Sequence, residues 1–143
     1  MSSYAFTVRG IPAPQGSKRP VRLGNGRVGM VESSKAVAPW RERVCAEAQH
    51  VVMEPIGGAV SLTLEFYVTR PKNHYGTGRN AQVVREAAPA YPDGKPDLDK
   101  LARSTMDGLT AAGAWKDDAQ VVTLTAVKRY GELPGCTIRL EEA

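Results

Sequence analysis

The sequence lacks the residues that build disulfide or zinc frameworks. It has 143 residues but only two cysteines, Cys45 and Cys136, and these stand alone with no histidine at zinc-ligand spacing. We therefore expect reduced thiols and neither a disulfide framework nor a zinc site. Cys45 is expected to be a small packed hydrophobic residue rather than a nucleophile.

Long apolar runs are also missing, because the longest have a few residues where a membrane span needs roughly 20. The N-terminal Met1-Ser2-Ser3-Tyr4 has no basic region followed by an apolar core, so no export signal is predicted. These absences favour a cytoplasmic protein without a membrane anchor. The hydrophobic content of 42% and the length predict one globular domain over residues 1–143.

The net charge of +4 conceals an asymmetry along the chain. Residues 1–96 carry 13 basic and 7 acidic side chains, whereas residues 97–143 carry 6 basic and 8 acidic ones. The first part would attract a polyanion and the second a cation. Ordinary solvated loops explain the basic excess about as well.

Alternating apolar residues predict strands at Tyr4–Arg9, Val60–Val68, Gln120–Arg129 and Cys136–Leu140. In the third of these, Val122, Leu124 and Ala126 share one side. Asn25-Gly26 predicts a hairpin turn. The hairpin is either a phosphate-contacting arm or an ordinary exposed ribbon, and its basic residues are Lys18, Arg19, Arg22 and Arg27.

Two segments have helical periodicity. Ser33-Ser34 offers a helix start, but Pro39 suits a first turn, so the first helix is predicted to begin near Ala38. Its apolar stripe comprises Trp40, Val44, Ala48 and Val51. The second helix follows Asp97, which suits an N-cap, and ends at Gly113. Two helices against a mixed sheet indicate an α+β domain.

The segment from residue 70 to residue 96 is a long basic loop, and such loops in compact domains are usually functional or disordered. Its candidate DNA-binding residues are Arg70, Lys72, Arg79 and Lys95, and Lys100 follows just beyond it. His74 is expected to be a surface residue rather than a ligand or base.

Acidic residues gather in two short patches. Asp97 and Asp99 at a loop-to-helix junction can lean toward one point, and Asp117 or Asp118 could supply a third carboxylate. Carboxylates without Cys or His favour hard ions such as Mg²⁺ or Mn²⁺, which tolerate a phosphate ligand. The alternative is structural: an acidic pair complements a helix dipole, and Asp117-Asp118 suits a solvated turn.

Three motifs occur together in this order, and their arrangement closely resembles that of RusA-type Holliday-junction resolvases. They are Pro96-Asp97-Leu98-Asp99-Lys100-Leu101, Met106-Asp107-Gly108-Leu109 and Trp115-Lys116-Asp117-Asp118-Ala119-Gln120-Val121-Val122. The resemblance implies a RusA-like α+β fold and a small homodimeric endonuclease, often phage-derived. Such an enzyme nicks two strands symmetrically across a four-way junction in DNA recombination and repair. It uses Mg²⁺, with Mn²⁺ as a substitute, and no organic cofactor.

The resemblance also implies roles for single residues. Asp97, Asp99 and Asp118 match the family's three metal-binding catalytic aspartates, with Asp118 standing 21 positions after Asp97. Arg103 falls where the family has a catalytic lysine, and an arginine cannot donate a proton near neutral pH. Lys100 replaces an asparagine that commonly follows the second aspartate.

Two other functions remain open at this point. The chain could be a junction-binding architectural protein that does not cut, or a nuclease for flaps, replication forks or RNA–DNA hybrids. A DNA substrate of any of these kinds would be associated with the nucleoid.

Overall fold

A mixed four-stranded sheet is the centre of the fold. The computed structural model describes residues 2–16, 18–32 and 35–143, without the side chains of residues 18–21 and 29–32. The elements in chain order are β1 (Ser3–Arg9), β2 (Lys18–Arg22), β3 (Val28–Glu32), α1 (Val37–Val51), β4 (Val60–Val68), α2 (Leu98–Ala112), β5 (Val121–Tyr130) and β6 (Gly135–Glu142). The predicted combination of a mixed sheet and two main helices is confirmed.

The sheet has the order β1-β6-β4-β5, which could not be derived from the sequence. β6 pairs antiparallel with both β1 and β4, whereas β4 and β5 run parallel. A parallel pair needs a long crossover, and here the crossover contains the 70–96 loop and α2. β5 therefore lies at one edge of the sheet, and the acidic turn that precedes it follows α2.

The core lies between the sheet and the two helices. β4 contributes its alternating buried residues Val60, Leu62, Leu64 and Phe66, as predicted. On α1 the buried residues are Val37, Trp40, Val44 and Ala48, whereas Val51 is only half-buried. α1 begins at Val37, one residue before the predicted Ala38, and Pro39 lies within its first turn. Ser33-Ser34 lies outside the described residues.

The basic hairpin forms a separate two-stranded sheet of β2 and β3, as predicted. Its turn uses Gly26 at φ 81°, and the Asn25 Oδ1 accepts a hydrogen bond from the Arg27 backbone N–H. The 70–96 loop is irregular, with two short 3₁₀ turns at Lys72–His74 and Gly78–Asn80. Within the described residues, no helix is long and apolar enough to cross a membrane.

β5 departs from the expectation of a half-buried strand. Val122 and Leu124 are 63% and 46% exposed, and only Ala126 of the predicted apolar side is packed against the core. The cause is its position, because an edge strand has a neighbour on one side only. The register with β4 is also irregular between Val60 and Ser61, close to Val122.

The two helices approach each other closely at Gly108 in α2. A Cβ placed there would lie 2.9 Å from the Val44 side chain and 3.0 Å from the Arg41 carbonyl oxygen. A turn earlier, the Trp40 indole N–H donates to the buried Thr105 hydroxyl at 3.1 Å. These contacts fix how α2 lies against α1, and they explain the glycine of the Met106–Leu109 motif.

We expect Gly108→Ala to destabilise the protein, although alanine is favoured in a helix interior by about 1 kcal/mol. The added methyl group overpacks the contact with Val44, which typically costs about 1–3 kcal/mol. Urea denaturation measures the difference. The double variant Val44→Ala/Gly108→Ala should lose less than the sum of its single variants, since Val44→Ala removes the Cγ1 contact and leaves the contacts with Cβ and the Arg41 carbonyl oxygen. A more stable Gly108→Ala protein would contradict this packing.

Candidate active site

The first acidic patch lies at the start of α2. Asp97 is the N-cap residue by position, but its side chain makes no capping hydrogen bond. Instead its two carboxylate oxygens face the Lys95 Nζ at 3.3 Å and the Lys100 Nζ at 3.6 Å. The hydrogen bond and charge of Lys95, followed by Lys100, hold the pKa of Asp97 below its ordinary value. Asp97 is therefore ionised at neutral pH.

Lys128 on β5 holds the backbone that leads into Asp97. Its Nζ donates to the carbonyl oxygens of Gly94 at 2.6 Å and Pro96 at 2.8 Å. A charged donor shared by two carbonyls on either side of Lys95 restricts the path of this segment. The edge strand thus positions the residue immediately before Asp97, although 32 positions separate Lys128 from Pro96.

The second acidic patch is a tight turn before β5. The Asp117 carboxylate accepts from the Ala119 backbone N–H at 2.8 Å and so caps the 3₁₀ turn Asp118–Gln120. The Gln120 amide donates to the carbonyls of Ile56 and Gly58, both at 2.8 Å, and its oxygen accepts from the Lys116 backbone N–H. Asp117 therefore supports the turn, which leaves the carboxylate of Asp118 exposed.

The electrostatic surroundings of Asp118 are opposite to those of Asp97. Partial desolvation raises the pKa of Asp118, and a hydrogen bond and charge from Asp117 and the charge of Asp107 add to the effect. Arg103 acts in the other direction and lowers that pKa. Arg103 stands one helical turn from both Asp99 and Asp107 on α2. Arg103 is thus close enough for its charge to act on Asp118, and its catalytic role stays a prediction.

One chain does not gather all three predicted ligands. Among the residues that the structure describes, no group of three or more acidic, histidine or cysteine side chains is placed to hold a metal ion. The charges of both Asp107 and Arg103 act on Asp118, and these two residues lie roughly 15 Å and roughly 9 Å along the α2 axis from Asp97. The chemistry of the carboxylates fits a hard cation, but the arrangement within a single chain does not make one three-aspartate site. Their roles as ligands stay a prediction.

The predicted DNA-binding cations have different surroundings. The Arg70 guanidinium stacks on the Tyr130 ring at 4.2 Å and donates to the Pro89 carbonyl, so it holds the 70–96 loop. His74 packs edge-on against the same ring. Exposed side chains are found at Arg22, Arg27, Lys72 and Arg79. The side chains of Lys18 and Arg19 lie outside the described residues.

Three residues of the site could not be selected from the sequence. Lys128 and Gln120 act through contacts with backbone atoms more than 30 positions away, for which no motif exists. Asp107 was part of a recognised motif, but only the turn between α2 and β5 reveals its proximity to Asp118.

The fold and these carboxylates define a class: a small α+β protein with two exposed acidic patches linked by one helix and bordered by basic residues. A family model described as "Endodeoxyribonuclease RusA" matches residues 10–141. The chain belongs to this family.

Individual relatives agree with the family model. The chain is 27% identical over 128 residues to a protein of Escherichia coli strain K12 named "Crossover junction endodeoxyribonuclease RusA". The alignment covers 90% of this chain and 84% of that protein. A Shigella sonnei protein of the same name has the same identity and coverage.

We expect Asp118→Asn and Asp97→Asn to change the stability of the metal-free protein in opposite directions. A raised pKa gives Asp118 a stabilising contribution only at low pH, and it is lost as pH rises through that pKa. Asp118→Asn should therefore raise Tm slightly at pH 7. The lowered pKa of Asp97 stabilises the fold above its unfolded pKa, so Asp97→Asn should lower Tm at pH 7.

Thermal unfolding in chelator at pH 7 and at successively lower pH measures both effects. Each difference from the wild type should shrink as acid protonates the carboxylate concerned. Shifts of equal sign for the two variants at pH 7 would contradict the assigned surroundings.

Lys128→Met is expected to loosen the segment before α2. The substitution keeps the aliphatic stem but leaves the Gly94 and Pro96 carbonyls without their charged donor, which should cost about 1–3 kcal/mol. Urea denaturation gives the loss, and amide hydrogen exchange at residues 97–101 gives its location. Arg129→Met, at the exposed neighbouring position, is the matched control. If both variants lose the same stability, the hydrogen bonds from Lys128 to Gly94 and Pro96 do not hold this segment.

Proposed function

We propose that the protein is a metal-dependent endodeoxyribonuclease that resolves four-way (Holliday) junctions by paired symmetric nicks. The observation that carries the proposal is the family match across residues 10–141, which includes both acidic patches. The names of the Escherichia coli and Shigella relatives supply the junction as substrate. The proposed setting is recombination and repair of DNA in the cytoplasm.

In this proposal Asp97, Asp99 and Asp118 bind Mg²⁺, for which Mn²⁺ can substitute, and no organic cofactor takes part. When bound, such an ion polarises the phosphoryl oxygens and lowers the pKa of a water molecule. The residues of the chain orient the scissile phosphate. Arg103 offers a planar bidentate donor fork to its non-bridging oxygens.

A homodimer is part of the proposal, because two equivalent cuts ask for two equivalent sites. The exposed edge of β5 supports it, since Val122 and Leu124 expose apolar surface on a strand that begins three residues after Asp118.

The competing functions all require binding to DNA, but they differ in whether the DNA is cut and in which DNA structure is cut. An architectural junction-binding protein would bind without cutting, and it would have no need for an arginine beside an exposed carboxylate whose pKa is raised. A nuclease for flaps or forks would cut a substrate with fewer arms. Each alternative is separable by the substrate that is cleaved.

The deciding experiment compares Mg²⁺-dependent cleavage of a synthetic four-way junction, a flap, a fork and a linear duplex at one salt concentration. Salt must be fixed because phosphate contacts make affinity salt-dependent. Paired nicks at symmetric positions in the junction, well above cleavage of the other substrates, are expected. Equal cleavage of the flap or fork would overturn the junction preference, and binding without cleavage would favour the architectural function.

We expect Asp97→Asn and Asp118→Asn each to abolish cleavage while junction binding stays within about tenfold, because phosphate contacts supply most of the affinity. Undiminished cleavage by either variant would remove that residue from the site. Arg103→Lys should retain substantial activity if only positive charge is needed. A loss as deep as that of Arg103→Ala would show that the guanidinium fork itself is required.

A further inference from the structure

Ile11 is an apolar side chain that points into solvent beside the start of α2. It is 77% exposed, whereas the adjoining Pro12 and Ala13 are buried. Single exposed apolar residues are common on protein surfaces and by themselves carry no meaning. Ile11 differs from such residues in two respects: hydrogen bonds hold the loop that carries it, and cavities border its side chain.

The loop that presents Ile11 is held on both sides. Before it, the Gly10 backbone N–H donates to the Pro134 carbonyl at 3.3 Å. After it, the buried Ser104 hydroxyl of α2 donates to the Ala13 carbonyl at 2.6 Å, and the Gln15 N–H donates to the Lys100 carbonyl at 2.9 Å. The helix that carries Asp97 and Asp99 therefore also fixes the position of Ile11.

Ile11 borders three cavities, two of which lie beside the segment that leads into α2. One, of about 460 Å³, is lined by six prolines, by Tyr130 and His74, and by the charged residues Asp93 and Lys95. The other, of about 560 Å³, reaches Lys95, Asp97 and Lys100. An immobilised apolar ridge thus separates two hollows, and the second of them opens onto the candidate active site.

We propose that Ile11 is a wedge that packs against an unstacked nucleobase at the branch point of the DNA substrate. The inference rests on the proposed function, because it takes branched DNA as the partner. The Ile11 side chain has no hydrogen-bonding group, so it cannot read base edges, whereas the face of a base is flat and apolar. Apolar side chains inserted between base steps are a recurrent means of unstacking DNA.

The charges around Ile11 suit this occupant better than an apolar protein partner. Lys95 and Lys100 line the cavity beside the wedge, and the charge they carry exceeds that of Asp97 between them, so this cavity attracts phosphates of the same strand. The hollows on either side leave room for the separated bases. A branch point is also where unstacking costs least, because bases there already lack part of their regular stack.

The test uses a four-way junction with 2-aminopurine at the branch point, in chelator so that no strand is cut. The fluorescence of this base rises when it loses its stacking neighbours. We expect saturating wild-type protein to increase the fluorescence severalfold and Ile11→Ala to lose most of that increase. Junction affinity should fall by less than about tenfold, because phosphates supply most of it.

Two matched variants separate the wedge from general surface effects. Ile11→Leu should preserve the fluorescence increase. Met53→Ala should also preserve it, since Met53 is equally exposed, at 78%, but follows α1 and lines neither of the two cavities. A wild-type increase that persists in Ile11→Ala overturns the proposal.

Cleavage of the unlabelled junction in Mg²⁺, measured in parallel, separates a failure of the Ile11 wedge from a failure of the proposed nuclease function. A wild-type protein that cuts the junction but gives no fluorescence increase on binding overturns the wedge and leaves the nuclease function standing. A protein that neither binds nor cuts the junction overturns the proposed function, and the wedge with it.

Discussion

The close packing of α2 against α1 is the constraint on which the candidate site depends. Gly108 lets the two helices approach to a distance that a side chain at that position would prevent, and the Trp40–Thr105 hydrogen bond fixes their register. With one face of α2 buried in this way, its other face presents Arg103 and its first turn presents Asp99. Substitutions in the helix contact should therefore affect the site without touching it.

The two acidic patches have opposite electrostatic surroundings, and this difference has a structural cause. Asp97 lies at the end of a basic loop, where lysines on both sides stabilise its charge. Asp118 lies in a turn that is capped by the carboxylate of Asp117. The negative charges of Asp117 and of Asp107 on α2 both raise the pKa of Asp118. Carboxylates crowded in this manner are unfavourable for an isolated chain and become favourable when a cation arrives.

Local periodicity was enough to predict much of the fold. The alternation of β4, the Asn25-Gly26 turn and the limits of α2 depend on neighbours in sequence, so they could be read directly. The exposure of Val122 could not, because the same alternation occurs in central and edge strands and only the sheet order separates them. The hydrogen bonds from Lys128 to Gly94 and Pro96 could not be predicted either, since they depend on the parallel pairing of β4 with β5.

The site itself was predictable to a different degree. The motifs indicated Asp97, Asp99, Asp118 and Arg103 by resemblance, and the structure places Arg103 close enough to act on Asp118. The expectation that the three aspartates converge came from the position of Asp97 and Asp99 at a helix start, from the turn that contains Asp118, and from the roles of the three residues in the family. Spacing along the chain does not give the distance between the start of α2 and the turn before β5. Among the described residues, the three side chains do not form one metal-binding group.

Lys95 and Lys100 pair with Asp97 at the point where the basic first part of the chain meets the acidic second part. Lys95 and Lys100 were predicted to contact DNA, yet in the structure both face the carboxylate of Asp97. A lysine held by a carboxylate is a weaker phosphate ligand than one that is released from it. If a divalent cation neutralises Asp97, both ammonium groups become available to the backbone of the junction. Cation binding and DNA binding would then strengthen each other by the same factor, as linkage requires.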